Sequence, residues 1–226
     1  YCRGVNYGIA DSVWNGIIRS AGVMPNMPES KHGVDLLKGS GVCFGMHTNV
    51  CLGKPCADPA KIPSLLDENG ELKSSRTYRD AWKQGKEIVL LDEMVIEIEA
   101  QYQRYLELTG EKPHYFEAHA VLNHNLARAL EIVAEKYDLP YLPACFEPTG
   151  VAFGHSTLIT CMDSMKPDYD PTASLKKAAL AEYSENECPM FVCHPGYIDD
   201  YLMHHSTLVT PRPKEVAMAT DPAVRK

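Results

Sequence analysis

Two hydrophobic periods alternate along the chain. Val5, Ile9, Val13 and Ile17 recur every fourth residue and predict a helix that stops near Ser20–Gly22. Val23 to Met27 reads as a short extended piece interrupted by Pro25, and a helix is predicted around Ser30–Lys38. The run GVCFGMH, Gly41 to His47, has the length and apolar continuity of a buried strand. A helix over about Leu91–Leu108 places Met94, Val95, Ile98 and Tyr102 on one face, and Tyr115–His119 reads as a short strand. Leu126, Leu130, Val133 and Tyr137 mark the next helix, with Asn123 or Asn125 as its N-cap. Tyr141–Cys145 and Thr157–Cys161 read as strands, Ala173–Tyr183 as a helix and Met190–His194 as a last strand.

Strands that alternate with helices predict an α/β fold with a parallel sheet. The expected architecture is a distorted (β/α) barrel of about seven parallel strands. Six are legible, and a first strand is expected ahead of Tyr1 because the chain opens directly on a helix. Residues 1–226 are expected to form a single domain that lacks its N-terminal strand. Residues 48–86, rich in Pro, Gly, Lys and Asp, read as a long excursion of functional or disordered character.

Composition narrows the partners. The formal charge of −8 argues against a nucleic-acid or anionic-membrane partner, both of which select basic faces. No apolar run approaches the ~18 residues of a membrane span. Of the eight cysteines, none forms a CxxC pair, and several sit in apolar runs such as GVCFGMH and FVCHPG. Reduced thiols and a cytoplasmic location are the reading.

In (β/α) barrels the catalytic groups lie at the C-terminal ends of the strands. His47, His119 and His194 each end an apolar run there. Imidazoles so placed suit a catalytic divalent metal or proton transfer. Glu117, two residues before His119, shares its strand face and is placed to ligate a metal or orient that histidine. Tyr78, Arg79 and Trp82 in the excursion, and the His204–His205 pair, read as packed loop and solvated surface. The carboxylates around Asp92–Glu99 read as a solvated helix face.

Six segments then carry a resemblance. PHYFEAH (Pro113–His119) is similar to the TH-hydrophobic-D-SHHHVH motif of YdjC-like carbohydrate deacetylases, and GMHTNV (Gly45–Val50) to their G-hydrophobic-HLTLT motif. PSLLDENGEL (Pro63–Leu72) resembles their PSLVDEDG stretch, and CHPGYIDD (Cys193–Asp200) their CHPG motif, with TPRPKEV (Thr210–Val216) similar to their following R-x-x-E segment. The opening RGVNYGI (Arg3–Ile9) resembles their first helix. The resemblance implies removal of N-acetyl groups from amino sugars or chito-oligosaccharides with a divalent metal, magnesium or zinc. It places His47 and His119 as metal ligands, His194 as general acid or base, and Arg212 in the family's arginine position. Asn49, Tyr115 and Trp82 are candidate substrate contacts, and a homodimer is suggested. The family's metal and catalytic aspartates precede its first helix, so on this reading they lie upstream of Tyr1. Glu117 replaces the family's motif aspartate, and the histidine run is reduced to AHAVLNH. The alternatives are a metal-dependent phosphoesterase or isomerase on the same barrel, or a non-catalytic sugar-binding relative, which the eroded histidine run favours.

Overall fold

In the computed structural model, which describes residues 1–121, 123–144 and 149–224, the opening periodic run forms helix α1 (Arg3–Trp14). Strand β1 (Ser20–Val23), helix α2 (Ser30–Leu37) and strand β2 (Cys43–Thr48) follow, then helices α3 (Ser75–Lys83) and α4 (Leu91–Thr109). Strand β3 (Phe116–Ala118), helix α5 (His124–Tyr137) and the strands β4 (Val151–Phe153) and β5 (Ser156–Cys161) come next. Helix α6 (Pro171–Leu180), strand β6 (Glu187–Phe191) and helices α7 (Asp200–His205) and α8 (Pro211–Thr220) complete the order.

These elements fall into two compact units. One comprises Tyr1–Ala21, Lys31–Cys43 and Cys145–Lys226, and the other Gly22–Ser30 and Phe44–Ala144. Strands β1, β2 and β3 form one three-stranded sheet in that order, with β2 and β3 parallel. Strands β4, β5 and β6 form the second, in which β4 is antiparallel to β5 and β6 parallel to it. The α/β class stands, but among the described residues there are six strands in two open sheets, not a closed ring of about seven parallel ones.

Local chemistry explains the differences. The expected strand at Tyr141–Cys145 contributes only an isolated parallel bridge from Tyr141 to Phe116, and Cys145 lies outside the described residues. Pro140 and Pro143 flank that bridge and have no N–H to extend a ladder. The first helix ends at Trp14, because beyond Gly16 the N–H groups turn elsewhere: Ile17 donates to the Ala219 carbonyl and Ile18 to that of Ser12. A tight β4–β5 hairpin turns through Gly154, at φ 60°, and His155.

The excursion is ordered. Ile62 and Leu65 are fully buried, Leu72 and Tyr78 nearly so, and Ser74 caps α3 by accepting the Thr77 N–H. Helix α4 ends on Gly110, at φ 81°, and α5 begins on Asn123, whose side chain accepts the Leu126 N–H. Helices α4 and α5 pack on one another, and Ile98, Met94, Leu126 and Leu130 are fully or almost fully buried with Phe116 of β3 and Met46 of β2.

Candidate active site

Parallel pairing of β2 with β3 sets Met46 opposite Phe116 and His47 opposite Glu117. Side chains alternate along a strand, so Met46 and Phe116 enter the core while His47 and Glu117 share the other face. His119, two residues beyond Glu117, belongs to that face as well, and its N–H donates to the Thr48 carbonyl at 2.8 Å. His47 Nδ1 lies 3.0 Å from Glu117 Oε1, and His47 Nε2 lies 2.9 Å from His119 Nδ1. An ionised carboxylate only accepts, so His47 carries its proton on Nδ1 and turns the Nε2 lone pair toward His119. Glu117 therefore orients a histidine, and the histidine it orients is His47. Gly22 of β1 leaves the room that His47 fills: a Cβ there would lie 2.9 Å from His47 Cβ.

Asn49 is fully buried, and its amide is committed within the loop that leaves β2. The Nδ2 group donates to Asn26 Oδ1 and to the Leu52 carbonyl, while Oδ1 accepts the Cys51 N–H. Gln101 of α4 pairs with the Asn49 backbone in both directions and donates to Glu97. Glu97, fully buried, accepts the N–H groups of Cys56 and Ala57, and Glu93 accepts that of Ser64. The expected solvated face of α4 is thus partly interior, and Glu93 and Glu97 tie the excursion down. The signal available for this was their register with Met94, Ile98 and Gln101.

Tyr115 lies over Gly45, where a Cβ would come within 2.1 Å of the ring. Trp82 of α3 is 48% exposed, with its ring centroid 4.8 Å from that of His124 at the start of α5.

In the first unit His194 sits in a separate polar cluster. Its N–H donates to Glu215 Oε2 at 2.6 Å, its carbonyl accepts from Arg212 at 3.1 Å, and its ring Nδ1 lies 3.4 Å from Ser164 Oγ. Arg212 also donates to the Leu208 carbonyl, so it ties the motif to the backbone just ahead of α8. Glu215, fully buried, accepts the Tyr169 hydroxyl at 2.8 Å, and burial pushes its carboxyl above the usual range. The CHPG segment then docks on α1 through glycine: a Cβ at Gly8 would lie 2.4 Å from Gly196 Cα. Asp199 accepts the Gly4 N–H at 2.7 Å, so a distant carboxylate caps α1. The R-x-x-E segment of the sequence contains Glu215 but gave it no role, and sequence reasoning missed Tyr169 and Ser164, which no spacing links to His194.

Seven cysteines among the described residues are free thiols, and burial pushes Cys51, Cys56 and Cys193 up to about 12, which disqualifies them as nucleophiles. Among the described residues, no group of three or more His, Cys, Asp or Glu side chains is disposed to hold a metal ion. The convergent nitrogens of His47 and His119 offer two donors.

The family model for YdjC-like proteins matches residues 1–226. The chain belongs to the YdjC-like family. Similar members include a carbohydrate deacetylase of Geobacillus stearothermophilus, 31% identical over 99% of this chain and 86% of its own length. Carbohydrate deacetylase 2 of Listeria innocua is 28% identical over 100% and 88%, and a chitooligosaccharide deacetylase of Yersinia pestis 28% over 99% and 88%. A crystal structure from Enterococcus faecalis, of a protein described as a cellobiose-phosphate cleavage protein, superposes with a TM-score of 0.80 at 22% identity. It covers 100% of this chain and 88% of its own, and it shows that the fold is shared. The YdjC-like chain has, among its described residues, no helix long and apolar enough to cross a membrane.

Proposed function

We propose that this YdjC-like protein is a metal-dependent carbohydrate deacetylase that removes N-acetyl groups from amino sugars or chito-oligosaccharides. The names of its relatives support the reaction. The observation that carries the chemistry is the Glu117–His47–His119 chain across β2 and β3, in which a carboxylate fixes one imidazole and points its free nitrogen at a second. That donor set fits a divalent ion, magnesium or zinc, held by His47 Nε2 and His119 with further ligands. When bound, such an ion polarises an acetamide carbonyl and acidifies water.

The protein's own groups do the rest. Glu117 keeps the proton on His47 Nδ1 and so keeps Nε2 a donor of electrons. His194 is the proposed source of the proton for the departing amine, and its backbone is pinned by Glu215 and Arg212. Trp82 is a candidate platform for a sugar ring, and Tyr115 and Asn49 act through the backbone and loop they hold.

Acetate release from N-acetylglucosamine oligomers tests the reading, against phosphate release from sugar phosphates. His47→Ala and His119→Ala are expected to lose stoichiometric metal and acetate release together. Undiminished deacetylation in both variants would falsify the assignment.

A further inference from the structure

Helix α1 carries a second set of functional groups on the side that its unit does not bury. Val5, Gly8, Ser12 and Val13 pack inward. Tyr7, Ala10, Asp11 and Trp14 fall at i, i+3, i+4 and i+7, one stripe on the opposite face. A surface stripe at this spacing is ordinarily polar, yet Tyr7 is 48% exposed and Trp14 53%. Tyr197, 40% exposed, comes from the CHPG segment of the same unit. With Asn15 these residues line an open cleft of about 420 Å³.

Two of the three aromatic groups are anchored at their polar ends and the third by a ring contact. Trp14 Nε1–H donates to the Leu36 carbonyl at 2.9 Å, and the Tyr197 hydroxyl donates to Asp11 Oδ2. Tyr7 meets His32 edge-on at 5.1 Å between centroids. Rings fixed in this way lose little freedom when something stacks on them. Ala10 contributes only a methyl group between the aromatics, which leaves a hollow. Asp11 holds a carboxylate at the rim, kept below the ordinary range by the Tyr197 hydroxyl and then the Asn15 amide, and each of its oxygens retains a second lone pair. Apolar ring surface edged by a carboxylate and an amide matches a pyranose, whose C–H faces are apolar and whose rim is hydroxyl.

We propose that the cleft between α1 and Tyr197 is a second carbohydrate site, taking one pyranose ring of an oligosaccharide and sharing no residue with the His47–His119 site. The choice of an amino-sugar chain as its ligand rests on the deacetylase reading. The site gives the protein a hold on polymeric substrate that is independent of the reacting unit.

The sequence has two tryptophans, so Trp82→Phe leaves Trp14 as the only one, which excitation beyond the tyrosine band reads selectively. Titration of that protein with the N-acetylglucosamine trimer is expected to change Trp14 emission saturably, and to do so equally with His119→Ala added. In this background Tyr7→Ala and Tyr197→Ala are expected to raise the midpoint about two- to tenfold, the range for loss of one aromatic contact. Tyr197→Phe, which keeps the ring, is expected to stay closer to the parent than Tyr197→Ala. A silent Trp14 overturns the proposal. So does a response that Tyr7→Ala leaves unchanged, or one that follows protein concentration in place of sugar. Acetate release by the unsubstituted protein together with a silent Trp14 removes the cleft alone, whereas a responsive Trp14 with no acetate release from the unsubstituted protein removes the deacetylase reading and leaves the cleft.

Discussion

The proton on His47 Nδ1 lies against the Glu117 carboxylate, and this contact sets which nitrogen faces His119. Glu117→Gln keeps the shape but presents an amide that no longer demands a proton from His47. Divalent-metal affinity is expected to fall about 10–100-fold, the usual effect of losing a carboxylate behind a metal-bound histidine. Metal titration with a thermal melt checks this, and an unchanged affinity would count against the orienting role. His47 and Glu117 were both legible as candidates, because period-two alternation puts Glu117 and His119 on one face. What alternation could not say is which histidine Glu117 serves. That follows from the parallel register, which sets it opposite His47. Gly22 shows the limit from the other side: in sequence it reads as a helix stop, and in the structure it is the space beside His47.

Elements meet here through glycine. Gly45 of β2 lies beneath the Tyr115 ring, with 2.1 Å between its missing Cβ and the ring. Gly45→Ala is expected to cost about 1–3 kcal/mol, as overpacking of a filled site does. Adding Tyr115→Ala should return part of that loss, because the two changes share one clash. Urea unfolding of the single and double variants measures the coupling, and strict additivity would show that the ring moves aside freely. Helices α4 and α5 were readable from their apolar periods, and the Asn123 cap was readable from its residue type. Helix α3 and the ordered excursion were not. The excursion is tied down by Glu93 and Glu97 of α4, which accept the N–H groups of Cys56, Ala57 and Ser64, pairings across about 30–40 positions that no local pattern in the excursion indicates.

On the scale of the molecule, the division into two units is not a division of the chain. Each unit is assembled from separate segments, and the boundaries fall inside β1 and β2. Trp14 belongs to one unit and Trp82 to the other. Single-tryptophan variants Trp14→Phe and Trp82→Phe are therefore expected to give coincident urea transitions, since the chain passes from one unit to the other inside β1 and inside β2. Midpoints that separate would show two independent cooperative units. Buried carboxyls give the pH profile. Burial raises Glu97 and Glu215 above their ordinary 4.5, so the folded protein holds protons that the unfolded chain has released. Stability from these groups falls as pH rises from 4.5 through their folded values. Asp199 is the opposite case: burial opposes its ionisation, but the Leu202 and Gly4 N–H groups win and hold it below 3.8. Its contribution is present above 3.8 and is lost as pH falls through its folded value. Urea midpoints that decline from pH 4.5 toward neutrality, and decline less in Glu215→Ala, are the expected result. By itself the sequence determined the α/β class, most of the helices, the places of His47 and His119 at the ends of β2 and β3 and the family resemblance, because period, caps and motifs act over a few residues. Only the tertiary structure decided that the strands form two open sheets, that Glu117 serves His47, and that Glu97 and Glu215 are interior. Those outcomes depend on strand register and on pairings between residues tens of positions apart, which local patterns do not encode.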